Sequence, residues 1–257
     1  MDLLLDLLPE AVGGVEAGLL TAAAAAGAAL TTALGIGGGL FLLTVMTPFI
    51  PVTALIPLHG AVQAAANGWR LLVLLRHVHW PVVMAFSLGA LAGVAAASPL
   101  VARIPAAWLE LVIAGFILYA LWGPASPLLG SMRRLIPVGG AVTGALTLFV
   151  GATGPLVASV IATLRLERFA HMGTFSACML LQHTFKLIAF ALVGVALADY
   201  LGLLVAMIGA SLVGTLVGRL LLGHLPERLF RRVLVVVLTL LALRLLWSAC
   251  SGLLAGG

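Results

Sequence analysis

Long apolar runs dominate the chain, broken by short clusters of glycine, proline or charge. Ten runs stand out: roughly 12–34, 38–49, 53–76, 81–101 and 106–122, then 135–150, 155–164, 169–197, 201–222 and 229–249. Most are near the length of about 20 residues that a helix needs to cross a bilayer. The second and seventh are too short to cross about 30 Å of hydrocarbon at about 1.5 Å per residue. They read as half-helices or re-entrant arms. The fold class that follows is all-α: a single integral membrane domain over residues 1–257, with short Gly/Pro-broken segments.

The two groups of five runs share a plan. Each opens with a long run, a glycine break and a short run. Gly35, Ile36, Gly37, Gly38 and Gly39 form the first break; Gly151, Ala152, Thr153, Gly154 and Pro155 form the second. Asn67-Gly68-Trp69-Arg70 falls opposite His183-Thr184-Phe185-Lys186. Residues 89–122 align without a gap on 214–247, pairing Gly89 with Gly214, Gly93 with Gly218, Arg103 with Arg228 and Trp122 with Trp247. This reads as a duplication, with one repeat over 12–122 and the second over 135–249. An odd number of segments per repeat makes the two halves inverted, a recurrent plan of secondary transporters.

Composition agrees with the runs. Hydrophobic residues make up 63% and charged residues 8% of the chain, and mean hydropathy is +1.26. A soluble domain carries roughly 25% charge, so the solvent for this chain is lipid. The first residues, MDLLLDLLPE, lack the basic n-region of a cleavable signal peptide. Cys178 and Cys250 sit in apolar runs, where neither a disulfide nor a zinc site is expected.

The net charge of +5 does not point to nucleic acid, because the basic residues cluster at the ends of runs as topology anchors. If the sides alternate, Arg76, Arg133, Arg134, Arg165, Arg168, Arg219, Arg228, Arg231 and Arg232 share one face. Arg103, Asp2, Asp6, Glu10 and Asp199 share the other. The basic face is then cytoplasmic. The expected location is the cell inner membrane, multi-pass, with both termini periplasmic.

The Gly35–Gly39 break with the following Pro48, the Asn67-Gly68-Trp69-Arg70 stretch, the Trp80-Pro81 start of the fourth run and the second, degenerate copy of the plan resemble the TauE/SafE family of sulfite exporters. The resemblance covers nearly the whole chain. It implies export of sulfite or a small organosulfur anion such as sulfoacetate. Family substrates vary, and sulfite, sulfonates, thiosulfate and small carboxylates are alike to the residues read here.

A small oxyanion needs positive charge and hydrogen-bond donors away from water. Helix N-termini supply free N–H groups and the positive end of a dipole. The short runs beginning near Gly38 and Pro155 offer two. Candidate substrate-binding positions in the breaks are therefore Gly37, Gly38, Gly39, Gly151, Thr153 and Gly154; the competing reading makes these glycines helix-packing points. Arg70 and Lys186 lie inside long apolar runs at equivalent repeat positions, where a cation is a functional-site hypothesis by default. Against this, Arg70 could snorkel to the interface, and Lys186 could be satisfied by helix-end carbonyls. Gln63 and Asn67 share one helix face, as do Gln182 and Lys186. With His183 they complete the candidate set, although such groups also bond helix to helix. His59 and His171, near the starts of their runs, are expected at the interface.

Of the eight acids, Glu110 is read as the one that could sit within a membrane run, and it lies near an end, as does Glu16 at the start of the first run. Cation-coupled carriers commonly use an intramembrane carboxylate relay; this pattern instead suggests an anion carrier. Export of an anion from a negative-inside cell gains about 2.3 kcal/mol per charge per 100 mV. Proton coupling through His183 is the other route. No nucleotide-binding, metalloprotease or serine-nucleophile motif is present. The expectation is a transporter rather than an enzyme, with a small anion and the lipid bilayer as partners, no nucleic acid, and no cofactor or metal. Two alternatives are an anion channel and an intramembrane sulfur relay through the Cys178 thiol.

Overall fold

The computed structural model describes residues 12–123 apart from Ile36 and Ala102, 136–220 apart from Ala196, and 227–255. Asp2, Asp6, Glu10, Arg133 and Arg134, which helped orient the chain, lie outside the described residues, as do the side chains of Arg228, Arg231 and Arg232.

The described residues form ten α-helices in order: α1 Gly14–Leu34, α2 Gly38–Met46, α3 Val52–Leu74, α4 Trp80–Val101, α5 Ala106–Trp122, α6 Ile136–Val150, α7 Gly154–Ala162, α8 Arg168–Leu192, α9 Leu201–Leu220 and α10 Glu227–Ala255. No strand occurs among the described residues. Each helix answers to one apolar run. α8 stops at Leu192, short of the expected 197, because Gly194 takes φ +85° and turns the chain. α10 continues to Ala255, past the expected 249.

The burial pattern is that of a protein dissolved in lipid. Leu88, Leu192, Val205 and Trp247 are exposed, whereas Thr44, Gln182 and Lys186 are wholly buried. Apolar side chains face outward and polar ones face inward, as a bilayer requires. Nearly all of α1, and the whole of α4, α8 and α9, are long and apolar enough to span by length and composition. α2 and α7 have nine residues each, or about 13 Å of rise, and reach only part of the way.

Glycine decides how closely the long helices approach. α1 packs on α9, α4 on α6, α3 on α8 and α5 on α10. Gly89 and Gly93 of α4 lie against the backbone carbonyls of Pro137 and Ala141, while Gly140 and Gly144 of α6 lie against those of Phe86 and Ala90. Gly214 and Gly218 of α9 meet Ala25 and Ala29 of α1 in the same way. These G-x-x-x-G pairs are helix-packing faces. The Trp122 indole donates to Thr239 Oγ1 at 2.9 Å, tying α5 to α10. The α3/α8 pair carries half of the buried polar side chains among the described residues, including all the charged ones.

Candidate functional site

α3 presents His59, Gln63, Asn67 and Arg70 at spacings of four, four and three, so they form one inward stripe. α8 presents Gln182, His183 and Lys186 toward it. All seven side chains are buried. A chamber lies where this pair meets the starts of α2 and α7. It is lined by Thr31, Gly37, Gly39, Leu40, His59, Gln63, Asn67, Ala152, Gly154, Pro155, Phe175, Met179 and His183. Its volume is about 20 Å³, space for about one water.

The two short helices differ at their N-termini. Gly35 and Gly37 take φ +89° and +101°, and Gly37 caps α2 with no side chain to bond the first N–H groups. The N–H groups of Gly38, Gly39 and Leu40 have no acceptor among the described residues. At α7, Pro155 has no N–H, and Leu156 N–H donates to Thr153 O at 3.0 Å. Gly154 N–H is the one left there. The start of α2 therefore leaves more N–H groups without an acceptor among the described residues than the start of α7, and each start carries the positive end of its helix dipole.

The side chains divide into two sets. His59 Nε2 lies 2.8 Å from Gly39 O. A carbonyl only accepts, so this nitrogen carries the proton; Nδ1 has no partner. The His183 ring meets that of His59 edge-on at 6.0 Å, and neither of its nitrogens is partnered. Asn67 Nδ2 donates to Gln63 O at 2.8 Å, and its Oδ1 accepts from Arg70 Nη1 at 2.9 Å. Arg70 Nε reaches Thr32 Oγ1 at 3.3 Å.

The other set lies behind the chamber wall. Gln182 Nε2 donates to Thr153 Oγ1 at 2.6 Å and to Thr143 O at 3.3 Å; its Oε1 accepts from Thr143 Oγ1 at 3.2 Å. It thereby fastens the start of α7 to α6 and α8. Lys186 Nζ donates to Gly151 O at 3.0 Å, at the positive-φ residue that ends α6.

Of the candidates read from the sequence, Gly37, Gly39, Gln63, Asn67, Gly154 and His183 line the chamber. Gly38 faces the other way, against Gly27 and Thr31 of α1. Gly151, Thr153, Gln182 and Lys186 form the support just described. Arg70 lines a separate pocket. Arg70 and Lys186 thus flank the chamber rather than sharing it. Arg244, a third cation within a helix, is exposed on α10. Cys178 is buried in an apolar cluster and does not itself line the chamber. No group of metal-ligand type occurs among the described residues.

His59 was expected at the interface and is instead wholly buried at the chamber. The signal was present: it stands four residues before Gln63 and eight before Asn67 on the same stripe. Thr31 and Thr143 gave no such signal, since threonine is common in packed membrane helices and each bonds its own helix backbone.

A family model described as "Sulfite exporter TauE/SafE" matches residues 19–245, and the chain belongs to that family. It is a multi-pass membrane transporter. No curated protein and no solved structure matches the chain.

Proposed function

We propose that this member of the sulfite exporter family exports a small sulfur oxyanion, sulfite or an organosulfonate, across the inner membrane by alternating access around the chamber between α2, α3, α7 and α8. The carrying observation is His183, which is buried at the chamber with both ring nitrogens unpartnered. A buried polar group normally has a partner. The N–H groups of Gly38 and Gly39, which have no acceptor among the described residues, support an anion as the missing partner, and no carboxylate among the described residues lines the chamber to compete with it. Gly37, Gly39, Gln63, Asn67, Gly154, His59 and His183 bind the anion. Gly38, Gly151, Thr153, Gln182 and Lys186 hold the two short helices in place, and the cations Arg70 and Lys186 set the field from either side.

A chamber closed to the space of about one water conducts nothing as it stands, which favours a carrier over a channel. The packing supports reading residues 12–122 and 135–249 as inverted halves that rock against each other. The first helix of each half packs on the fourth of the other, and the third and fifth helices pair with their counterparts. The driving force is the membrane potential acting on an anion.

Proteoliposomes loaded with labelled sulfite or a panel of sulfonates, under an imposed inside-negative potential, test this directly. Native efflux should saturate and should be lost in His183→Ala and Asn67→Ala. Absence of flux for every sulfur anion would remove the substrate assignment; unimpaired variants would remove the chamber.

A further inference from the structure

On the far side of Asn67 lies a second pocket, of about 190 Å³, between the ends of α1, α3 and α9 and the start of α8. Thr32, Arg70, His77, Phe169, Thr215 and Arg219 contribute to its wall. On this measure one water needs about 10–15 Å³, so this pocket accommodates a small oxyanion with part of its hydration, which the chamber does not. No carboxylate among the described residues lines it. The nearest acid along the chain, Glu167, caps α8 by accepting from Phe169 N at 3.0 Å.

Arg70 is the unusual wall residue. It is 2% exposed, and its acceptors are the neutral Asn67 Oδ1 and Thr32 Oγ1. Its Nη2 makes no hydrogen bond among the described residues. A buried guanidinium without a counter-anion is costly, and an anion seated in the pocket would supply one. Arg219, exposed at the last turn of α9, adds a second positive charge to the same wall.

The partition between pocket and chamber is thin. Thr31 and Asn67 line the chamber, whereas Thr32 and Arg70 line the pocket. The Arg70–Asn67 hydrogen bond crosses that partition.

We propose that this pocket is a second oxyanion site, a vestibule that receives the transported anion on Arg70 and Arg219 and passes it to the chamber as Arg70 releases Asn67. This rests on the chamber reading above. A free anion and the phosphate of an anionic lipid share the required chemistry, and the geometry assigns the free anion, because Arg70 sits at the inner end of the pocket, one helix turn from the chamber.

The test measures half-saturating sulfite in inside-out and right-side-out vesicles of zwitterionic lipid, together with sulfite binding to the full chain in nanodiscs. Arg219 is exposed and outside the chamber, so Arg219→Gln perturbs the vestibule without unfolding the core. Arg219→Gln and Arg70→Gln should each raise the half-saturating concentration about tenfold from the Arg219 face alone, and Arg219→Lys should restore it. Native flux with unchanged half-saturation in both variants overturns the vestibule and leaves export standing. Saturable binding that Arg70→Gln abolishes, without native flux, keeps the site and sinks export. No native flux and no native binding sinks both. Transport that depends on added phosphatidylglycerol, with that dependence lost in Arg219→Gln, assigns the pocket to a lipid phosphate and overturns the free-anion site.

Discussion

Lys186 shows how one side chain serves two purposes at the residue scale. Its ammonium neutralises the end carbonyl of α6 at Gly151 and places a positive charge beside the chamber. Glutamine keeps a donor and loses the charge. Lys186→Gln should therefore fold with a near-native melting temperature while sulfite efflux falls about tenfold or more, a barrier change of about 1.4 kcal/mol. Lys186→Leu removes the donor too and leaves the Gly151 carbonyl only the long 3.5 Å bond from Thr147 Oγ1, which should cost about a further 1 kcal/mol of stability, read as a lower Tm in detergent. Gly60 enters the same balance from α3, because a Cβ there would meet Lys186 Cε at 2.6 Å. Gly60→Val should displace the lysine and reproduce the efflux loss of Lys186→Gln. Efflux at the native rate in Gly60→Val would show that the position of this ammonium is unimportant.

The same reasoning applies to whole elements, where glycine contacts separate function from packing. Gly38 starts α2, yet its open side faces the Gly27 carbonyl and Thr31 Oγ1 of α1. A methyl group in Gly38→Ala has no space against that backbone, so α2 must shift off α1 and take its N–H groups with it. Transport should be lost and thermal stability reduced. Gly93→Ala and Gly140→Ala press on the carbonyls of Ala141 and Phe86, and each should cost about 1–3 kcal/mol through overpacking between α4 and α6. Gly209, in α9, has nothing within 4 Å. Gly209→Ala should be neutral or stabilising by up to about 1 kcal/mol, because alanine favours the helix. A uniform loss across all four variants would mean that glycine acts here through something other than close approach. Element boundaries were largely legible beforehand, since glycine and proline punctuate the apolar runs. The end of α8 was not, because 193–197 stay apolar while Gly194 turns the backbone.

Orientation and driving force belong to the whole molecule. Clustering of Arg76, Arg165, Arg168 and Arg219 on one face should place that face in the cytoplasm and both termini in the periplasm. Reporter fusions at each terminus measure this, and a cytoplasmic signal from either end would reverse the assignment. An anion moved down the potential should leave faster as the inside becomes more negative, by up to about tenfold for about 60 mV per unit charge moved. Efflux independent of the imposed potential would instead require a coupled proton, with His59 and His183 as the groups placed to carry it.

The sequence by itself determined the lipid solvent, the helices of the described residues and the two short arms, because each follows from run length, charge content and glycine breaks read locally. It also singled out the polar residues of α3 and α8, since polar groups stand out against apolar runs. Only the tertiary structure decided where each of them lies and what it touches. Whether a glycine opens toward the chamber, as at Gly39, or toward a neighbouring helix, as at Gly38, depends on which helix lies across from it. The separation of Arg70 from Lys186, the pairing of His59 with His183 and the imbalance between the two helix N-termini are likewise contacts between segments far apart in the chain. Such contacts arise from packing in three dimensions, and no local period along the sequence encodes them.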